Sequence, residues 1–152
     1  MTFSIWVDAD ACPRQAKEVL FRLADKRQVN VVLVANQYLP TPRSQYVSAL
    51  QVAQGFDEAD NEIVARMAAG DLVITGDIPL ADEVVTKQGH ALSPRGTLFT
   101  PENIKDALSR RDMMEQLRDS GMVSGGPSAY DKKHVQAFAN ALDRIVTRAL
   151  KS

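Results

Sequence analysis

Along this chain, short runs of apolar residues alternate with stretches in which apolar residues return every three or four positions. Phe3, Ile5, Trp6 and Val7 form the first run and read as a buried strand. After Pro13, placed where a first helical residue tolerates it, Ala16, Val19, Leu20, Leu23 and Ala24 share one helical face. The valine-rich stretch 29–35 predicts a second strand, the two prolines within 36–42 a loop, and residues 47–53 a short third strand. Ala59, Ile63, Val64, Met67 and Ala68 mark a second helix that stops at Gly70. Residues 72–75 read as a fourth strand, 80–86 as a helical turn or two, and 90–92 as a brief fifth strand. Thr100-Pro101 caps a helix through Leu117, a flexible connection spans 120–127, and residues 131–150 form a long terminal helix. Strands apolar on both faces, alternating with helices, imply parallel pairing and right-handed crossovers. The expected fold is a single α/β domain over residues 1–152, a doubly wound and mostly parallel sheet of about five strands, with a helical extension from about residue 101.

Composition changes this picture little. No run of roughly 18 apolar residues exists to span a membrane, and the N-terminus lacks a basic segment followed by a signal-like apolar core. The lone Cys12 has no internal disulfide partner, which fits a reducing compartment, and a cytoplasmic location is expected. Charge is more informative. The net value of −1 argues against tight nonspecific binding to duplex DNA. It hides eight acids against Arg66 alone between Gln54 and Glu83, and nine basic residues against six acids from Lys105 onward. An acidic centre beside a basic tail suits a metal site with a phosphate-holding rim, to which Arg110, Arg111 and Arg118 would contribute; two ordinary solvated helices would look the same.

The acids that matter stand where the elements end. Asp8 and Asp10 close the first apolar run in Ile5-Trp6-Val7-Asp8-Ala9-Asp10, and Asp77 closes the fourth in Leu72-Val73-Ile74-Thr75-Gly76-Asp77. In extended geometry Asp8 and Asp10 would face one side, with small Ala9 and Ala11 leaving room for a ligand. Asp60 precedes Ile63, Val64 and Met67 by three, four and seven residues, above the buried face of its helix, while Asp57 and Glu58 are available to cap it. Glu62 falls off that face. Thr75 is positioned to hydrogen-bond a carboxylate. Each acid alone reads equally as a helix cap, a dipole partner or a turn residue. Together, at the carboxyl edge of a parallel sheet, they would converge in the crevice where open α/β folds bind ligands, and their mutual repulsion predicts a divalent cation. Asn36 and Gln37, ending the second strand, and Arg95, in the loop after the fifth, are candidate substrate contacts by position. Cys12 at a helix start has no nearby histidine and reads as apolar filler.

Strand-Asp, helix-opening Asp and Val-Ile-Thr-Gly-Asp together resemble the PIN-like nuclease fold, whose acidic cluster binds divalent metal for phosphodiester cleavage. More narrowly, Trp6-Val7-Asp8-Ala9-Asp10-Ala11-Cys12-Pro13 is similar to the YaiI/YqxD family, as are residues 55–64, Asp71 to Ala81, and Ser93-Pro94-Arg95-Gly96. That resemblance spans essentially the whole chain, including Gly125-Gly126-Pro127 and residues 138–143. It implies a three-layer PIN-like domain with Asp8, Asp60 and Asp77 as acidic ligands, Asp10 as an addition and Asp82 as a further acid. Mg²⁺ or Mn²⁺ would be the cofactor, and RNA or another nucleic acid the substrate.

A rival chemistry uses similar spacing. Asp8-x-Asp10 with a later Gly76-Asp77 and Asp82 imitates haloacid-dehalogenase-type phosphatases, where the first aspartate is a covalent nucleophile. That chemistry expects a lysine between the acidic motifs, and residues 28–86 contain none; the serine or threonine expected after the second strand is replaced by Asn36 and Gln37. The pattern therefore favours water-mediated hydrolysis, with a non-enzymatic metal- or nucleic-acid-binding protein as the competing class. The tail after Gly126 can pack on its own sheet or exchange with a second subunit, so a homo-oligomer stays open.

Overall fold

The structure, a computed structural model, describes residues 3–55, 57–122 and 129–151. Chain order is β1 (Ser4–Asp8), a 3₁₀ turn (Ala9–Ala11), α1 (Arg14–Arg27), β2 (Asn30–Ala35), β3 (Val47–Gln51), α2 (Glu58–Arg66), β4 (Leu72–Ile74), α3 (Ile78–Thr86), β5 (His90–Leu92), β6 (Leu98–Phe99), α4 (Ile104–Asp119) and α5 (Lys132–Lys151). Among the described residues the strands form one six-stranded sheet in the order β3-β2-β1-β4-β5-β6. The first five run parallel, with Ile5 facing Val31 on one side and Leu72 on the other; β6 pairs antiparallel with β5. From β1 the chain winds outward to β2 and β3, then returns to begin again at β4. The β1–β4 boundary is thus the point where winding reverses, the place ligands occupy in open α/β sheets.

Helices cover both faces because the strands alternate. Ile5 and Val7 pack with Leu33, Ile74 and Leu92 against Ala16 and Leu20 of α1 and Phe138, Leu142 and Val146 of α5. Val34, Val73 and Ala91 face the other way, against Ala59 and Ile63 of α2, Leu80 and Val84 of α3, and Ile104 of α4. Phe138, Leu142 and Val146 recur every four residues on α5 and are fully buried, each worth roughly 1.5–3 kcal/mol. The helical tail expected from about residue 101 therefore includes a wall of the first core, packed on its own sheet. Among the described residues no helix is long and apolar enough to cross a membrane.

Several expectations need correction. The sheet has six strands, not about five, because Leu98–Phe99 doubles back on β5 through a tight Ser93–Thr97 turn closed by the Ser93 N–H on the Thr97 carbonyl. The second helix ends at Arg66; Met67 continues the apolar stripe but is buried from extended backbone. The third helix starts earlier, at Ile78, since Pro79 sits in the first turn where its missing N–H costs nothing. The fourth starts later, at Ile104, after Thr100 and Asn103 exchange hydrogen bonds. Of the expected connection over 120–127, residues 123–127 lie outside the described residues.

Candidate functional site

Asp8 is the last residue of β1, and Asp77 follows β4 by two residues beyond Thr75 and Gly76, so both reach the carboxyl edge at the reversal point. Thr75 joins them. Its side chain is buried, its hydroxyl donates to Asp8 Oδ2 at 2.9 Å, and its Oγ1 accepts the Asp77 N–H at 3.0 Å. Asp77 in turn caps α3, Oδ1 accepting the Leu80 N–H at 3.1 Å, so the cap reading holds for this residue alongside any other role. Asp60 enters from the first turn of α2, and its carboxylate makes no hydrogen bond to a described residue. Asp57 occupies the N-cap position in left-handed backbone, without a side-chain cap.

Electrostatics show which charges reach Asp8 and Asp60. Burial raises the Asp8 carboxyl, the Thr75 hydroxyl counteracts this, and the charges of Asp77 and Asp10 push it up further. Asp60 is pushed up to about 7, by burial first and then by Asp77, Asp8, Asp57 and Glu83. The charges of Asp8 and Asp77 thus reach Asp60, and that of Asp77 reaches Asp8, with no cation among the influences on Asp8 or Asp60. Replacing Asp60 with Asn is expected to raise the melting temperature at pH 8 and to leave it nearly unchanged at pH 4. The carboxyl moves from an ordinary 3.8 to about 7 on folding, so folding takes up a proton. Its contribution is complete below about 4 and lost as pH rises through about 7. Equal gains at both pH values would rule out ionisation as the cause.

Asp10 departs from the expected geometry. The chain leaves the strand at Ala9, whose complete burial turns it inward, and the 3₁₀ turn swings Asp10 towards β2. There Oδ2 accepts the Asn36 N–H at 2.8 Å and Oδ1 the Gln37 side-chain amide at 3.2 Å. Asp8 and Asp10 are therefore not side by side by strand alternation, although their charges interact. Asp82 is not among the acids acting on Asp8 or Asp60; the α3 charge that reaches Asp60 belongs to Glu83. The helical wheel held that signal, since Asp82 lies roughly opposite the buried stripe of Leu80, Ala81 and Val84. Glu62 pairs with Arg66 at 2.8 Å.

Among the described residues, no three His, Cys, Asp or Glu side chains are gathered closely enough to hold an ion as they stand. The donor chemistry nevertheless fits a hard divalent cation. Every candidate ligand is a carboxylate oxygen, Asp8 Oδ1, Asp77 Oδ2 and both Asp60 oxygens have no hydrogen-bond donor among the described residues, and the three acids lack a compensating charge.

The sequence profile described as "Uncharacterized BCR, YaiI/YqxD family" matches residues 6–148. The chain belongs to that family. It is 59% identical over 144 residues to a UPF0178 protein of Thioalkalivibrio sulfidiphilus, covering 95% of this chain and 98% of the relative. It is 56% identical over 146 residues to one of Maridesulfovibrio salexigens, 96% and 97% covered, and 57% identical over 147 residues to one of Shewanella amazonensis, 97% and 99% covered. No solved structure matches the chain.

The remaining candidates of this YaiI/YqxD member are committed elsewhere. Asn36 spends its side-chain amide on the Ala53 carbonyl at 3.0 Å, tying β2 to the end of β3. Arg95 lies 3.0 Å from His134 Nε2, on the α5 side of the edge, where Tyr130 stacks on His134 and donates to the Pro94 carbonyl. Gly96 allows this approach: its φ is +93°, and an added Cβ would stand 2.8 Å from the Ala137 backbone. The Cys12 thiol is pushed up to about 12 by burial, which leaves no thiolate nucleophile at neutral pH. A small cavity of about 360 Å³, bounded by Arg14 and Lys17 of α1 with Leu39 and Pro40, was not foreseen, because its walls come from separate segments.

Proposed function

We propose that this protein is a divalent-metal-dependent phosphodiesterase of PIN-like architecture, acting on RNA or another nucleic acid. The observation that carries the reading is the meeting of Asp8 and Asp77 through Thr75 at the β1–β4 reversal point, with both their charges reaching Asp60. Asp8, Asp60 and Asp77 would hold Mg²⁺ or Mn²⁺, which supplies the positive charge needed by a water attack on phosphorus and by the leaving oxygen. Thr75 fixes one oxygen of Asp8 and leaves the other open. Asp77, pinned by Leu80, presents its second oxygen the same way. Asp10, held by Asn36 and Gln37, adds negative potential from beside the cluster. Lys17, beside an Arg14 paired with Glu18 at 3.4 Å, gives the same edge positive charge for a phosphate chain. Water is the fitting nucleophile, since among the described residues no Ser or Cys hydrogen-bonds to a histidine.

The test is calorimetric titration with Mn²⁺ alongside cleavage of end-labelled single-stranded RNA and DNA. Saturable Mn²⁺ binding with Mn²⁺-dependent cleavage is expected. Binding without cleavage of either substrate would replace the enzyme with a metal-binding protein; no binding would remove the site from both.

A further inference from the structure

The carboxyl edge is not the only concave place in this fold. At the amino edge of the same sheet, about 620 Å³ of cavity opens between α5 and the starts of the central strands. That volume falls within the range of small-molecule sites, roughly 300–1,000 Å³. Phe3 just before β1, Leu98 of β6 and Ile145 of α5 give it apolar walls, while His90 at the start of β5 and Arg144 and Arg148 of α5 bring polar groups. Arg144 and Arg148 are one turn apart on the helix and line the same space. Ala69 and Gly70 complete the wall, and an added Cβ on Gly70 would meet nothing within 4 Å.

Charge decides what fits. The acid of the wall, Asp71, is turned inward and accepts N–H groups from Ser4, Trp6 and Ala68, so its oxygens are occupied. The Arg144 side chain makes no hydrogen bond or ion pair with any described residue. A bare inorganic anion would leave Phe3, Leu98 and Ile145 wet, and a neutral apolar molecule would leave the guanidinium without an anion. We propose that this cavity binds a small amphiphilic anion, a phosphate or carboxylate head on an apolar or aromatic body. The head pairs with Arg144, whose planar fork accepts either group in two parallel hydrogen bonds. The body lies on Phe3, Leu98 and Ile145. This site is separate from the aspartates and does not depend on their chemistry.

Fluorescence titration with 8-anilinonaphthalene-1-sulfonate, itself an aromatic anion, tests the proposal on the full chain. One dye is expected per chain. Arg144→Ala should weaken binding roughly 10-fold or more, with an unchanged melting temperature, because Arg144 is exposed. Leu98→Asn should weaken it too, whereas Arg22→Ala on the outer face of α1 should not. Phenyl phosphate or octanoate should displace the dye at concentrations where inorganic phosphate and butanol do not; which of the two competes better identifies the head group. Unchanged affinity in Arg144→Ala, an equal loss in Arg22→Ala, or inorganic phosphate competing as well as phenyl phosphate would each overturn the proposal.

Discussion

Asp8→Asn is expected to abolish metal-dependent cleavage, by roughly 100-fold or more, while leaving the protein as stable as before or slightly more so. The two effects separate because the substitution is isosteric. Asn retains an oxygen able to accept the Thr75 hydroxyl, so β1 still ends in a satisfied hydrogen bond and no cavity opens. What disappears is a half-buried negative charge opposed by Asp77 and Asp10. Removing it relieves repulsion in the metal-free protein and would also strip one ligand from the proposed metal site. Mn²⁺ should then raise the melting temperature of the wild type, by mass action, and not that of the variant. Thermal melts with and without Mn²⁺, run beside the cleavage assay, check all three statements. Undiminished cleavage in Asp8→Asn would remove Asp8 from the chemistry. A drop in metal-free stability would make it a structural acid instead.

The largest loss of stability is expected from a different aspartate. Asp71, 5% exposed, accepts the Ser4 N–H at 3.1 Å, the Trp6 indole N–H at 3.0 Å and the Ala68 N–H at 3.0 Å. Its backbone carbonyl also accepts the His90 N–H at 2.9 Å. One residue thus links the start of β1, the exit from α2, the start of β4 and the start of β5. Asp71→Ala strands three donors around a buried side chain, and a loss of roughly 3–5 kcal/mol is expected, a large share of a typical 5–15 kcal/mol. For a chain of this length that lowers the melting temperature by about 10 °C or more. Asp71→Asn keeps one acceptor and should fall between the two. Urea unfolding followed by circular dichroism measures the series. A loss below about 1 kcal/mol in Asp71→Ala would show that water replaces the carboxylate.

What the sequence revealed, and what it hid, follows from how far each signal travels along the chain. β1, β5, α1 and α5 were legible because their apolar residues repeat within a single segment. The neighbourhood of Asp8 and Asp77 was legible because topology follows from alternating elements, and topology puts strand ends at one edge. The geometry of Asp10 was hidden since strand alternation applies only while the strand continues, and β1 ends at Asp8 before the turn through buried Ala9. β6 is two residues long, too short for any period. Asp71 reads as an ordinary acid before an apolar run; its three donors come from positions 4, 6 and 68, which only the folded chain brings together. The amino-edge cavity escaped for the same reason, its walls being drawn from both ends of the chain.

The Trp6–Asp71 hydrogen bond has an optical consequence. Trp6 is the only tryptophan, so the indole emission of this protein arises from one place. That place is the middle of β1, two residues from Asp8, with its N–H on the carboxylate that lines the amino-edge cavity. A single intrinsic chromophore therefore sits between the two edges of the sheet. Its wavelength and quenching should respond to occupancy at either one without any attached label.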